Sequence, residues 1–372
     1  MPVDRGRGLR DLARHGTASL DYGGGMPGPL SWIRGIRHPE GFHGTGIRGG
    51  FFEGWYVKVV AADQQARWAF IPGVFRGRDG DEVTDEAFVQ VLDGATGRSW
   101  YHRYPVEEFQ AASDRFDVRV GPNRFSSQGL SVRLPGIDGD VSFDTALQPW
   151  PVTWRRPGIM GWYAWVPMME CYHGIVSFGH GLRGSLVVEG SAQSFDGGRG
   201  YIEKDWGKAF PAGYAWMHSN HFEGCPTASL VASVAIIPWL RASFRGFIVG
   251  LHLDGRLHAW ATYNGSRERL LDIDEQHVRW ELIGPSGRLR LVAERVRGGL
   301  LHAPVRTRMH ERVEETLDAR ILVEFADRPG HVVLDTVATS AGLEVHGDIA
   351  RLLALEGASS SRAARASAAS LD

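Results

Sequence analysis

The residues of this chain best suited to chemistry are carboxylates embedded in aromatic runs. They fall in or beside four stretches: GFHGTGIRGGFFEGWYVKV (41–59), GIMGWYAWVPMMECYHGIVS (158–177), GYIEKDWGKAFP (200–211) and YAWMHSNHFE (214–223). An extended chain puts every second residue on one face. Phe51, Glu53 and Trp55 therefore share a face, as do Tyr201, Glu203 and Asp205, and likewise Trp216, His218, Asn220 and Phe222. A carboxyl among rings is either a buried, paired charge or part of a cavity wall. Glu53 or Glu203 with Lys58 or Lys204 would supply the ion pair. Several polar tips without partners are costly in a packed core, which favours the cavity. Desolvation there raises the carboxyl pKa, so such a group can keep its proton near neutral pH and donate it.

The elements that must hold these side chains are strands. Period-two alternation bounded by Gly, Pro, Asn or Asp recurs at 67–75, 86–92, 114–120, 130–134 and 140–144. It returns at 228–237, 247–253, 255–263, 277–283, 288–294, 319–325 and 331–337. Asp-Gly pairs at 79–80, 93–94, 138–139 and 254–255 suit tight antiparallel turns. The one good helical pattern is DIARLLALE (348–356). Some fifteen strands exceed what one small barrel closes with. The expectation is therefore an all-β chain with two antiparallel barrels and a short C-terminal helix. The turn-rich GSAQSFDGGRG segment sets the boundary, giving a first barrel over 31–195 and a second over 196–354. Residues 1–30, rich in Arg and Gly, are expected to be a mobile arm, and the Ala/Ser-rich 355–372 a disordered tail.

Composition narrows the function. The chain has 372 residues, with 41 Lys plus Arg against 43 Asp plus Glu, a balance that argues against a nucleic-acid partner. Only Lys58, Lys204 and Lys208 are lysines, all inside the aromatic motifs, where a compact ammonium is the reading. Cys171 and Cys225 cannot build a disulfide framework and are expected reduced and buried. The longest apolar run, Leu230 to Leu240, is broken by Ser233 and Pro238, short of the ~18 residues that span a bilayer. Arg5, Arg7, Arg10 and Arg14 precede no apolar signal core, so a cytoplasmic protein is expected. Cys171-x-His173 and His218-x-x-His221 suggest zinc, but a spacing of three puts two strand residues on opposite faces, and no metal is expected. No GxSxG elbow or phosphate loop occurs.

The motifs GYIEKDWGKAFP and WMHSNHFE, preceded by MECYHGIVS and by GFH…FFEGWY, resemble the tocopherol cyclase family, in order from about Gly41 to LLHAPV (300–305) and into the last strands. That resemblance implies a tandem lipocalin-like fold, related to the carotenoid 1,2-hydratase type. It also implies a cofactor-independent enzyme that closes a chromanol ring on a prenylated hydroquinone, with peripheral contact to the membrane holding its lipophilic substrate. The reaction protonates a prenyl alkene and traps the cation with the phenol oxygen. Asp205 and Glu203 are the acid candidates, with Glu53 third, and His218 or His173 the group that deprotonates or orients the phenol. The rings of Trp55, Tyr56, Trp162, Trp165, Tyr201, Trp206 and Trp216 would contact substrate and cation; His173 and Lys204 would bind substrate, Lys204 being also a partner for a neighbouring carboxylate, and Asn220 would read a hydroxyl. A hydratase or isomerase on another isoprenoid, and a non-catalytic lipid carrier, are the rivals.

Overall fold

The computed structural model describes residues 29–47, 49–78, 85–167, 169–239 and 242–356. The expected mobile arm, apart from its last two residues, and the tail beyond 356 lie outside these, as does the Asp-Gly pair at 79–80. The described chain opens with helix α1 (Pro29–Arg37), where the first barrel was expected to begin. The reason lies in spacing: Trp32 and Ile36, four apart, share one helical face. Ile36 is buried and Trp32 sets its edge against the Tyr172 ring.

Strands make up nearly all the rest, in two antiparallel sheets. The first holds β1 (Phe51–Val60), β2 (Arg67–Arg76), β3 (Glu86–Asp93), β4 (Ser99–Tyr104), β5 (Phe109–Ala111), β6 (Asp117–Val120), β7 (Asn123–Ser126), β8 (Gly129–Leu134), β9 (Ile137–Phe143), β10 (Cys171–Val188), β11 (Ser191–Ser194) and β12 (Arg199–Gly207). The second holds β13 (Gly213–Ser219), β14 (His221–Phe222), β15 (Ser229–Trp239), β16 (Ala242–Leu253), β17 (Arg256–Ala261), β18 (Arg267–Ile273), β19 (His277–Gly284), β20 (Gly287–Glu294), β21 (Gly299–Val305), β22 (Arg308–Arg328) and β23 (His331–Gly347). Helix α2 (Ile349–Ala354) closes the described chain, its first turn capped by the Asp348 carboxylate on the Arg351 N–H, 3.0 Å away.

The halves do not divide at 195. Strand β12 lies beyond that boundary, yet pairs with β1 and β10 at the centre of the first sheet. The turn-rich 190–200 segment holds β11 itself, the turns on either side of it and the start of β12. The passage between halves runs from Gly207 to Gly213.

Each half is filled by its own core. Val57, Phe70, Val89, Phe125 and Leu186 pack in the first, and Met217, Phe247, Trp280, Ile321 and Phe325 in the second. A third cluster, with Tyr56, Tyr201, Trp216, Leu301 and Leu317, lies where the halves meet. The central strands therefore bury both faces: β13 is buried throughout and β1 at all but Gly54. Outlying strands such as β9 and β20 alternate between buried and exposed positions. This double burial is why the motif segments carry charges and rings together.

The expected turn at Asp254-Gly255 is present, with both residues at positive φ (49° and 74°), as a tight hairpin requires. Asp138-Gly139 is not a turn. It lies inside β9, paired with Val187 and Leu186, and the chain reverses one step earlier, around Gly136. Gly139 sits at φ 151° with the Ser185 carbonyl only 2.4 Å from where a Cβ would stand, so glycine is needed there for close approach.

Candidate active site

A cavity of about 190 Å³ lies at the seam between the halves, outside both filled cores. The first sheet contributes Phe52, Gly54 and Tyr56 of β1, Cys171 and His173 of β10, and Glu203 and Asp205 of β12. Register puts them on one face: Tyr56 is opposite Glu203, Gly54 opposite Asp205, and His173 opposite Asp205 from the other side. The second half contributes Tyr214 and Trp216 of β13, Ser233 of β15, Glu315 of β22 and Glu344 of β23. Rings and aliphatic groups, among them Phe88, Tyr163, Phe210, Phe244 and Ile248, complete the wall.

Glu203 is buried with two donors on Oε2, the Tyr201 hydroxyl and the Trp216 indole N–H at 3.1 Å, and with His173 Nε2 3.4 Å away as an ion-pair neighbour. Burial is the main cause that raises this carboxyl to about 7; the His173 charge opposes it and Asp205 adds to it. His173 Nδ1 meets Asp205 Oδ1 at 2.8 Å. Burial works against its charged form, but Asp205 and then Glu203 outweigh it and lift the ring to about 9. His173, Glu203 and Asp205 also offer ligand atoms within 4.8 Å of one another. The imidazole has a carboxylate beside each nitrogen, Asp205 at 2.8 Å and Glu203 at 3.4 Å.

Not every sequence candidate reaches the cavity. Glu53 and Lys204 lie on the opposite face of the sheet, where they form a wholly buried ion pair. His43 donates its backbone N–H to Glu53 at 2.8 Å and sets its ring nitrogen 2.9 Å from the same carboxylate. The Lys204 ammonium stands over the rings of Trp55 (4.3 Å) and Trp206 (4.8 Å) and also bonds the Gly41 carbonyl. This is the ion pair weighed against a cavity above, and Trp55 and Trp206 enclose it rather than a substrate.

Lys58 is wholly buried and donates to the Ser340 carbonyl at 2.5 Å, while Lys208 is exposed. His218 is buried behind the wall, its ring 3.3 Å from that of Tyr201, and burial pushes its pKa well down. Asn220 donates to the Gly200 carbonyl (2.9 Å) and has a structural place. Trp162 is 44% exposed and Trp165 packs on Trp154; their neighbour Tyr163 lines the cavity instead. Cys171 and Cys225 are free, as expected, but only half-buried. Glu315 and Glu344 went unnoticed in the sequence, although Glu315 falls in phase with the apolar Val313 and Leu317, and Tyr214 opens a singled-out stretch without being named as a site residue.

The fold and site together define an all-β protein of two tandem sheets that encloses acid side chains in an apolar chamber between its halves. The family model described as tocopherol cyclase-like matches residues 123–347, and the chain belongs to that family. A probable chloroplastic tocopherol cyclase of Oryza sativa subsp. japonica is 22% identical over 86% of this chain and 80% of its own. The chloroplastic tocopherol cyclase of Zea mays is 23% identical with the same coverage. Among solved structures, kievitone hydratase from Nectria haematococca matches with a TM-score of 0.45 at 13% identity, over 81% of this chain and 89% of that one.

Proposed function

We propose that this protein closes a ring on a prenylated hydroquinone by acid-initiated, cofactor-independent cyclisation, with Glu203 as the acid. The observation that carries this reading is one carboxyl. Glu203 is buried in an apolar chamber, its Oε2 taken by two donors and faced by His173, so that Oε1 is left to carry and deliver the proton. Asp205 is the weaker choice because its Oδ1 is engaged by His173 and its side chain is 28% exposed. Glu53 is excluded by its pairing with Lys204 on the other face.

Protonation of a trisubstituted alkene gives a tertiary cation, which the phenol oxygen captures. The rings of Tyr56, Tyr214 and Trp216 line the space where that cation would form, and aromatic faces stabilise a cation within roughly 6 Å. Exclusion of water keeps the cation from being hydrated.

The test is incubation of purified protein with a prenylated hydroquinone and no cofactor. The expected product has unchanged mass and a chromanol absorption spectrum. A gain of one water would make the enzyme a hydratase; tight retention without turnover would make it a carrier. Glu203→Gln is expected to lower turnover at least about 10³-fold with substrate binding kept, and Asp205→Asn by about 10- to 100-fold. Full activity of Glu203→Gln would remove it as the acid.

A further inference from the structure

The second half brings another pair of carboxyls to the cavity, and alkene protonation has no use for them. Glu315 and Glu344 are register partners across β22 and β23, and both line the chamber. Their carboxyls are close enough to hydrogen-bond to each other. No ion pair of the described residues involves either one; the Lys58 ammonium, which acts on Glu315 through space, gives its hydrogen bond to Ser340.

Two hydroxyls serve the pair instead. Tyr56 donates to Glu315 Oε1, and Tyr214 to Glu344 Oε2 at 2.8 Å. Glu315 is wholly buried, and its Oε2 has no donor among the described residues beyond a proton shared with Glu344. Adjacent carboxylates in a desolvated site do not both ionise, so the pair retains a proton. One carboxyl and one carboxylate side by side present a donor next to an acceptor. That is the complement of a hydroxyl, which both accepts and donates.

We propose that Glu315 and Glu344 form the hydroxyl-recognition subsite of this chamber, binding the phenolic O–H of the substrate and accepting its proton as the ring closes. The binding half stands on the pair's geometry; the proton-accepting half rests on the cyclase reading. The step balances. Glu203 gives one proton to the alkene carbon, a phenol oxygen lone pair forms the C–O bond to the resulting cation, and the phenolic proton passes to the carboxylate of the pair. The site then holds an ionised Glu203 and two neutral carboxyls opposite, and return of one proton to Glu203 after product release resets it.

The experiment compares two probes, a short-chain prenylated hydroquinone and its dimethyl ether, by quenching of tryptophan emission. The intact protein is expected to bind the hydroquinone at least tenfold more tightly than the ether. Glu315→Gln and Glu344→Gln should reduce that ratio below threefold while leaving ether affinity unchanged. A ratio kept above tenfold in either variant, with its melting transition intact, overturns the proposal. Should neither variant fold, infrared difference spectra of the Glu203→Gln protein decide. Hydroquinone, and not ether, must then perturb a protonated-carboxyl band, and an unperturbed band overturns the proposal. An intact protein that discriminates between the probes yet never cyclises removes the cyclase reading and leaves the subsite standing. One that cyclises without discriminating removes the subsite alone, and one that binds neither probe removes both.

Discussion

At the scale of single residues, the site sorts its acids by what surrounds each one. A carboxyl titrating at about 7 is half protonated at neutral pH. In the proposed reaction the protonated form is the donor, so kcat/KM is expected to hold at acid pH and fall tenfold per unit above about 7. The fall should be absent from any residual activity of Glu203→Gln. His173 has a linked effect on stability. Its folded-state pKa, about 9, lies above the ordinary 6.5, so the ion pair stabilises fully below 6.5 and the benefit is lost as pH rises through 9. Urea midpoints should decline across that window in the natural protein and decline less in His173→Gln.

The Glu53–Lys204 pair makes a separate prediction. Lys204→Met strands a buried carboxylate and should cost about 3–5 kcal/mol in urea unfolding, and adding Glu53→Gln should recover much of it. Period two in the sequence grouped Glu203 with Asp205 and Tyr201 correctly, because those residues share one strand. It could not say which parity of β1 faces the same way, and Glu53 was counted with the acids although Tyr56 stands opposite Glu203. Parity between strands is a property of register, and register is set by partners far away in the chain.

At the scale of elements, glycine shows what the strands demand. Gly139→Ala places a Cβ against the Ser185 carbonyl at a φ of 151°, and the loss should be about 3 kcal/mol by chemical denaturation. Gly255→Ala, at φ 74° with open space around it, should cost about 1 kcal/mol. Most strands were legible from alternation alone, and so was the terminal helix. The strands that build the site were the hardest to read: β1, β12 and β13 bury both faces and do not alternate in polarity. Strands β22 and β23 run far beyond the short patterns at 319–325 and 331–337. Glu315 and Glu344 fall in the unread parts, and nothing local to either announces a partner 29 positions away. Helix α1 gives a faint signal because it is only nine residues long, contains Gly35 and has no acidic residue in its first turn.

At the scale of the whole molecule, the seam is tied by polar contacts that neither half can replace alone. Tyr56 reaches Glu315, Lys58 reaches Ser340, and Arg199 reaches the carbonyls of Asn220 and Ala228. Gln90 and His302 exchange two hydrogen bonds of 2.8 and 2.7 Å. Chains cut between 208 and 212 should therefore bind no prenyl lipid separately, as read by emission quenching, and regain binding when produced together. Retained binding by either fragment would place the chamber within one half.

Because the hollow lies along a joint and not inside either filled half, its shape can change without disturbing what keeps each half folded. Ser233, Phe244 and Ile248 border the hollow, while the neighbouring Val234 and Val249 anchor the packing behind it. Exchanging Ser233, Phe244 or Ile248 resizes the guest room while Val234 and Val249, which do not border it, keep the foundations, which gives this architecture latitude to take up new guests by substitution along one strip.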